Sequence, residues 1–185
     1  AQFLPFGGHV AVLRRPTYQA GLIYQYGEII PRSSDKTNHR PKGRLNHMRT
    51  LNVVIGPYAF RARLEEQLAP ETCRAFLAWL PFRGKLLQAR WSGEAGWVAL
   101  GDQSLGVGYE NQTSYPAPGQ ILWHPAGLSE AEILVPYGPT RFASKVGQLA
   151  GNHFLTLTDN PEHLRRLGHD LVWRGAQDVT ISLDA

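Results

Sequence analysis

The residues best suited to chemistry form a short cluster at positions 90–94, Arg-Trp-Ser-Gly-Glu, with Trp97 shortly after it. On a strand, Gly93 permits a bend that could return Glu94 toward Arg90. An arginine and a carboxylate beside two indoles suit a flat ligand that is polar at one edge. An Arg–Glu pair that joins two strands over a tryptophan core explains the same residues equally well.

The side chains expected to line a binding cleft are all polar or aromatic. They are Arg90, Trp91, Glu94, Tyr109, Glu110, Arg141, His153 and His169. A structural explanation competes for both histidines. Strand alternation gives His153 the same face as Leu155 and Leu157, which is typical of a core histidine. His169 flanks a predicted helix end, where the helix dipole alone favours a histidine.

No motif indicates a metal, a cofactor or an assignable catalytic residue. The single cysteine, Cys73, excludes an intramolecular disulfide and a cysteine-rich zinc site. The spacing of His124, Glu132 and His153 gives no support for a metal site. A glycine pair at positions 106 and 108 lacks the final glycine of a dinucleotide loop, and there is no Gly-x-Ser-x-Gly elbow. We therefore expect no metal and no cofactor.

The charge distribution argues against nucleic acid as a partner. The chain carries +4 in total, but seven basic and two acidic residues precede Met48, which leaves −1 for the rest. A nearly neutral body has no electrostatic footprint for a phosphate backbone. No window approaches the roughly 18 consecutive apolar residues of a membrane span, and the start lacks the pattern of a secretory signal. These features predict a soluble, cytoplasmic protein.

Residues 1–47 differ in character from residues 48–185. Two short apolar runs, Gly8–Leu13 and Gly21–Tyr26, precede the polar segment Pro31–His47. This composition predicts an N-terminal arm and linker ahead of one larger domain. We expect the apolar runs to pack as a hairpin or an added strand, either on the body or on a neighbouring subunit, and the second arrangement would make the protein a homo-oligomer. An upstream extension without a function is the alternative.

The larger domain begins with a predicted hairpin and a helix. Strands at Leu51–Ile55 and Tyr58–Leu64 flank a Gly-Pro turn. A helix is predicted over Ala69–Leu80, since Pro70 suits its first turn and Pro81 prevents continuation. Its buried stripe would consist of Cys73, Phe76, Leu77 and Leu80. Cys73 is then a small core residue rather than a nucleophile.

The remainder is rich in short strands separated by Gly and Pro. Strands are predicted at Leu86–Trp91, Trp97–Leu100, Leu105–Tyr109, Ile121–His124, Glu132–Tyr137, His153–Thr158, Asp170–Trp173 and Val179–Leu183. A short helix is predicted after the cap Asn160, ending at Gly168. Many short strands with tight turns favour a mainly β barrel or sandwich with one main helix and one short helix.

Several long motifs resemble those of cyclophilins. The Pro-x-Thr helix before the strand Leu86–Arg90 resembles the first third of a cyclophilin, and Gly151–Thr158 resembles its Gly-Ser-Gln-Phe-Phe strand. Arg90–Ala95, Glu110–Gly119 and Arg141–Phe154 are similar to a bacterial cyclophilin-like family of unknown function. The resemblance implies a closed cyclophilin-like β-barrel over residues 48–185. It implies no reaction.

Only some of the residues that prolyl isomerase activity requires in cyclophilins have counterparts in this sequence. Arg90 matches the catalytic arginine of cyclophilins, and His169 matches a histidine of their proline pocket. Where cyclophilins carry a Phe and a Gln, this sequence has Ala95 and Val98, and Leu155 stands where a second Phe would fall. A guanidinium without the apolar pocket has lost the part that positions the substrate.

Three functions remain open from the sequence. The leading hypothesis is a binding module whose cleft holds a small polar or anionic ligand or a peptide. The second is an enzyme, either a weak prolyl isomerase or a hydrolase or isomerase of another kind. The third is a structural homo-oligomer that assembles through residues 1–47.

Overall fold

The structure, a computed structural model, describes residues 49–184. Its strands are β1 (Thr50–Ile55), β2 (Tyr58–Leu64), β3 (Phe82–Gln88), β4 (Gly93–Gly101), β5 (Gln112–Thr113), β6 (Gln120–His124), β7 (Ala131–Thr140), β8 (Ala143–Ser144), β9 (Gly147–Gln148), β10 (Gly151–Leu157) and β11 (Gln177–Leu183). Its helices are α1 (Pro70–Leu77) and α2 (Pro161–Trp173). The predicted arm at residues 1–47, and the assembly expected of it, lie outside the described residues.

Eight of the described strands close into an antiparallel barrel. Their order is β2, β1, β11, β3, β4, β7, β6 and β10, and β10 returns to β2 with Leu155 opposite Leu64. Closure leaves these strands without an unpaired edge. The predicted β1–β2 hairpin is confirmed, with Ile55 opposite Tyr58. Gly56 turns the chain there with φ +54, a conformation that glycine adopts freely. The predicted mainly β barrel is therefore confirmed.

Two apolar layers lie on opposite sides of β6 and β7. Ile121 and Trp123 point into the barrel core, whereas Leu122 and the next alternate residue, His124, point outward. The outer layer consists of Ala89, Ala95, Leu122, Leu134, Phe142 and Leu149, with Trp97 packed against it. Residues 141–150, which include the β8–β9 hairpin, supply part of this layer and so cover the outer face of the barrel. This second layer carries the candidate site.

The main helix has the predicted role. Pro70 occupies its first turn, and Cys73 and Phe76 are buried in the barrel core. Burial raises the pKa of the Cys73 thiol to about 12, so the thiol stays protonated. Both observations fit the predicted core residue.

The second helix is longer than predicted, and the expected strand Asp170–Trp173 is wrong. Leu164, Leu167 and Leu171 continue one buried helical stripe past Gly168. The glycine is there for close packing, because a Cβ at position 168 would lie 2.3 Å from Cδ2 of Tyr137. A glycine that a neighbouring ring requires looks the same in sequence as one that ends a helix.

Two other strand predictions need correction. The strand expected at Leu105–Tyr109 is irregular chain, in which Gly106 adopts φ +67. The strand expected at Leu86–Trp91 begins and ends earlier, as β3, so Arg90 lies in the β3–β4 turn. The amide of Ala89 donates to the carbonyl of Ala95 at 2.9 Å and closes that turn.

Within residues 49–184, none of the helices is both long and apolar enough to cross a membrane.

Candidate functional site

A cleft of about 220 Å³ lies on the outer face of the barrel, above the outer apolar layer. Its walls come from three separate connections: the β3–β4 turn, the residues just before β7, and the β8–β9 hairpin. The lining residues are Ala89, Arg90, Trp91, Trp97, Ser129, Glu130, Glu132, Ala143, Ser144 and Lys145. These residues are distant in sequence, and the pairing of β4 with β7 and the contact of the β3–β4 turn with the β8–β9 hairpin bring them together.

Ser92 fastens two of the walls to each other. Its hydroxyl donates to the carbonyl of Ala143 at 3.0 Å and accepts from the amide of the same residue at 3.2 Å. The carbonyl of Ser92 also accepts from the amide of Arg141 at 3.0 Å. Ser92 is buried. The β3–β4 turn and the β8–β9 hairpin are therefore held at a fixed spacing, which sets the width of the cleft.

The cleft presents cationic, aromatic and acidic groups within a small volume. Arg90 and Lys145 are exposed on the two fastened walls. Trp91 is 60% exposed, whereas Trp97 is half-buried against the outer apolar layer. A flat ligand with an anionic edge could contact an indole and both cations together.

Glu132 is the unusual residue of the cleft. It is only 7% exposed although it is a carboxylic acid on a barrel strand. Burial, and secondarily the charge of Glu130, raise the pKa of this carboxyl to about 7. Within residues 49–184 no hydrogen bond to Glu132 offsets the burial. The group therefore sits beside the cavity with its desolvation uncompensated.

His124 lies on β6 directly opposite Glu132. Its Nδ1 donates to the carbonyl of Ala150 at 2.9 Å, which leaves Nε2 as a buried acceptor without a partner in the described structure. Burial lowers the pKa of this histidine, so its ring is neutral at pH 7. A buried ring nitrogen without a partner thus lies on the strand beside Glu132, and such atoms are rare in proteins.

Of the eight residues expected from sequence, Arg90 and Trp91 line this cleft. Glu94 and His169 lie together in a different, open depression beside α2, which Tyr137 and Trp173 also line. Glu94 packs against Gly138, where an added Cβ would collide with the carboxylate. The turn at Gly93 therefore directs Glu94 away from the cleft, and the carboxylates that share it with Arg90 are Glu130 and Glu132.

Glu110 caps a helix. Its carboxylate accepts from the backbone amide of Thr72 at 2.5 Å and from that of Glu71 at 3.4 Å. These are first-turn amides of α1, whose cap residue Ala69 has no side chain that could accept them. Glu110 therefore supplies from the 102–111 segment the cap that the helix lacks.

The remaining three residues each have partners outside the cleft lining. The guanidinium of Arg141 donates to Oε1 of Gln148 at 3.0 and 3.2 Å. The hydroxyl of Tyr109 lies 3.4 Å from Nδ1 of His124. Nε2 of His153 lies 2.8 Å from Oγ1 of Thr156, which donates to Glu65 at 2.5 Å. Burial lowers the pKa of His153 and favours its neutral ring.

Sequence reasoning considered Glu132 only as a possible metal ligand. Residues 49–184 contain no group of three His, Cys, Asp or Glu side chains arranged to hold a metal ion. The sequence did contain a signal for Glu132 as a site residue, because it is the one charged residue in the otherwise apolar segment Ala131–Pro136. A charged residue within an otherwise apolar strand is rarely buried without a reason.

Comparison with solved structures supports the architecture. The chain superposes on McbB in complex with tryptophan with a TM-score of 0.55 and 16% identity, covering 71% of this chain and 44% of that one. It therefore spans less than half of McbB. A hypothetical protein from Archaeoglobus fulgidus (TM-score 0.47, 19% identity) and a cyclophilin-type peptidyl-prolyl isomerase from Cryptosporidium parvum (0.45, 13%) are similar over 77% and 75% of this chain. Each of these two matches covers 99% of the other chain.

At these identities the solved structures bear on the fold alone. The closed eight-stranded antiparallel barrel with two helices is the cyclophilin-like architecture expected from the sequence. No curated protein matches the sequence. A family model does match, over residues 51–183, and its description is a protein of unknown function, DUF3830. The match begins within β1 and ends with β11, so it spans the whole barrel. This chain therefore belongs to the DUF3830 family.

Proposed function

We propose that this protein binds a small anionic molecule in the cleft between the β3–β4 turn and the β8–β9 hairpin. The observation that carries the proposal is the pair of cations, Arg90 and Lys145, that face one cavity beside Trp91 and Trp97. Neither cation forms an ion pair within residues 49–184. Both charges are therefore available to a ligand.

The size and rigidity of the cleft favour a metabolite over a long peptide. Its volume of about 220 Å³ is below the range of roughly 300–1,000 Å³ that is usual for drug-sized ligands. Ser92 fixes the spacing of the walls, so the cleft does not have to be assembled when the ligand arrives. Such preorganisation lowers the entropic cost of binding.

Within residues 49–184, the positions that the resemblance assigns to the proline pocket do not support prolyl isomerisation. Val98 and Leu155, which stand where cyclophilins carry a Gln and a Phe, are buried in the barrel core and cannot contact a substrate outside it. Arg90 has indoles and carboxylates around it instead of an apolar ring site. We therefore place binding, rather than isomerisation, at this cleft.

A ligand screen with matched variants tests the proposal. Thermal unfolding would be followed with small carboxylates, phosphates and sulfates, with and without an attached ring, and positive compounds would be titrated by calorimetry. A ligand at a hundred times its Kd stabilises the protein by about 2.7 kcal/mol. Arg90→Ala and Lys145→Ala are each expected to weaken binding by about tenfold or more, as for a lost charge-assisted hydrogen bond.

Arg83→Ala is the matched control, since Arg83 is an exposed arginine on β3 that does not line the cleft. It should leave affinity unchanged. The proposal fails if no compound shifts the unfolding temperature in a saturable way. It fails equally if binding survives both Arg90→Ala and Lys145→Ala.

A further inference from the structure

The cleft contains a group of the opposite sign to the cations that the proposed function uses. Glu132 lines the same cavity as Arg90 and Lys145, is more than nine-tenths buried, and has no hydrogen bond within the described residues. Neither cation forms an ion pair with it. A buried carboxylate without a partner is costly, so its retention at a cavity wall points to a partner that arrives from outside.

The neighbours of Glu132 within the protein cannot act as that partner. His124, directly opposite on β6, uses the proton on Nδ1 for the carbonyl of Ala150, so its buried Nε2 is an acceptor like the carboxylate. Glu130, just before β7, adds a second negative charge to the same lining. On β4, the position opposite Glu132 is Ala99, which has no polar side chain. Among these three neighbours, within residues 49–184, none donates a hydrogen bond to Glu132.

We propose that the ligand carries a protonated amine as well as an anionic group, and that the amine binds Glu132 while the anion binds Arg90 and Lys145. The ligand class is then a zwitterion of amino-acid type, and the indoles of Trp91 and Trp97 favour one with a flat side chain. This inference rests on the proposed function of the cleft, which concerns the anion alone. It adds a second charged group on the ligand, the ammonium, and assigns Glu132 as the residue that binds it.

An ammonium group suits the site better than the other partners that a carboxylate can take. It supplies several donors from one compact charge, so one ammonium can both pair with the carboxylate of Glu132 and donate hydrogen bonds to it. A divalent metal would need a set of ligands that residues 49–184 do not provide. A neutral hydroxyl would leave the charge of Glu132 uncompensated.

The test uses triplets of compounds that share a ring and differ only in charge. For phenyl, indolyl and imidazolyl rings, the triplet is the L-amino acid, the corresponding propionate without the amine, and the corresponding ethylamine without the carboxylate. Calorimetric titration of the intact protein at pH 8 should give the amino acid the highest affinity in each triplet that binds. The advantage over the propionate should be about 10- to 100-fold, as for a hydrogen bond to a charged group.

Two variants separate the roles of the charges. Glu132→Gln keeps the shape but removes the charge, and should lower the affinity of the amino acid to that of the propionate while leaving the propionate unchanged. Arg90→Ala should weaken both compounds. Glu94→Gln is the matched control, because Glu94 is an exposed carboxylate that lies in the depression beside α2. It should change neither affinity.

The outcomes distinguish this inference from the proposed function. If propionates bind as tightly as amino acids, or if Glu132→Gln keeps the preference for the amine, the inference is wrong and the anion site stands. If ethylamines bind through Glu132 and carboxylates do not bind, the cation-binding half stands but the zwitterion is wrong. If nothing in any triplet binds, the inference is wrong, and the anion site is judged by its own screen of carboxylates, phosphates and sulfates.

Discussion

Two carboxylates of this barrel lie in contrasting surroundings. Glu110 receives the backbone amides of Glu71 and Thr72, and it remains partly exposed at the start of α1. Glu132 is almost fully buried beside the cleft, and burial raises its pKa to about 7, with no hydrogen bond from residues 49–184 to offset the cost. The two groups have the same chemistry, but only one has its donors within the fold.

The difference shows how a structural carboxylate can be told from one kept for a ligand. Glu110 completes a helix that lacks a cap of its own, so removing it should harm the fold. The charge of Glu132 has no partner in the described structure, so removing it should raise the free energy of unfolding and lower the affinity for the ligand. Functional sites often carry such local costs, which stabilising contacts elsewhere offset.

The largest expected effect follows from neutralising Glu132. Its carboxyl has a pKa of about 7 in the folded protein, against 4.5 for an unperturbed glutamate. The folded state thus holds this proton more tightly, so stability falls as the pH rises from 4.5 to 7. Glu132→Gln mimics the protonated acid and should raise the free energy of unfolding by about 2 to 3 kcal/mol at pH 8. Urea unfolding at several pH values measures it.

The gain must disappear near pH 4.5, where the wild-type carboxyl is itself protonated. Glu94→Gln, at an exposed carboxylate, should show no comparable gain at pH 8. A destabilised Glu132→Gln protein at pH 8 would show that the carboxylate supports the fold, and would remove the contrast with Glu110.

Removing the Glu110 carboxylate is expected to change the free energy of unfolding in the opposite direction. Glu110→Ala leaves the first-turn amides of α1 without their acceptor, and should lower the free energy of unfolding by about 1 to 2 kcal/mol. Ligand affinity should stay unchanged, because Glu110 does not line the cleft. Chemical unfolding and calorimetry on one preparation measure the free energy of unfolding and the ligand affinity, respectively. Glu110→Gln, which keeps an acceptor oxygen, should recover part of the loss.

A smaller effect on both stability and ligand affinity is expected at Ser92, because this residue contributes to the fold and also positions the walls of the cleft. Ser92→Ala removes the hydroxyl that fastens the β3–β4 turn to Ala143, and should cost about 1 kcal/mol of stability. The less constrained cleft should bind its ligand severalfold more weakly, chiefly through a faster dissociation rate, which stopped-flow kinetics resolves. Unchanged dissociation would mean that the fastening does not set the width of the cleft.

The barrel was largely predictable from sequence, since alternation and turn residues report directly on local structure. The β1–β2 hairpin, α1 and the strands near β6, β7, β10 and β11 follow from such patterns. The errors have physical causes that act over long distances. The predicted end of α2 was wrong because Gly168 allows close packing against the ring of Tyr137, which lies 31 positions earlier in the sequence.

The site was less predictable, because its parts come from three connections that only tertiary contacts bring together, namely the pairing of β4 with β7 and the contact of Ser92 with Ala143. Arg90 and Trp91 were identified by type, but the direction of Glu94 depends on the turn at Gly93 and could not be inferred. Glu110 looked like a ligand-binding residue because Ala69 at the cap position shows that an acceptor is missing, but not that a residue 38 positions after Thr72 supplies it. Lys145 gave no sequence signal at all, since exposed lysines are common.

The measurement that tests the central contrast most directly is the titration of the Glu132 carboxyl by carbon-detected NMR, without and with a bound amino compound. The groups around it are Glu130, His124, Arg90 and Lys145. Without ligand we expect a midpoint near 7, caused by burial first and by Glu130 second. With the ammonium in place the midpoint should fall well below that value, because a cation favours the charged form. A midpoint near 4.5 in the free protein, or one that no ligand moves, would contradict the account.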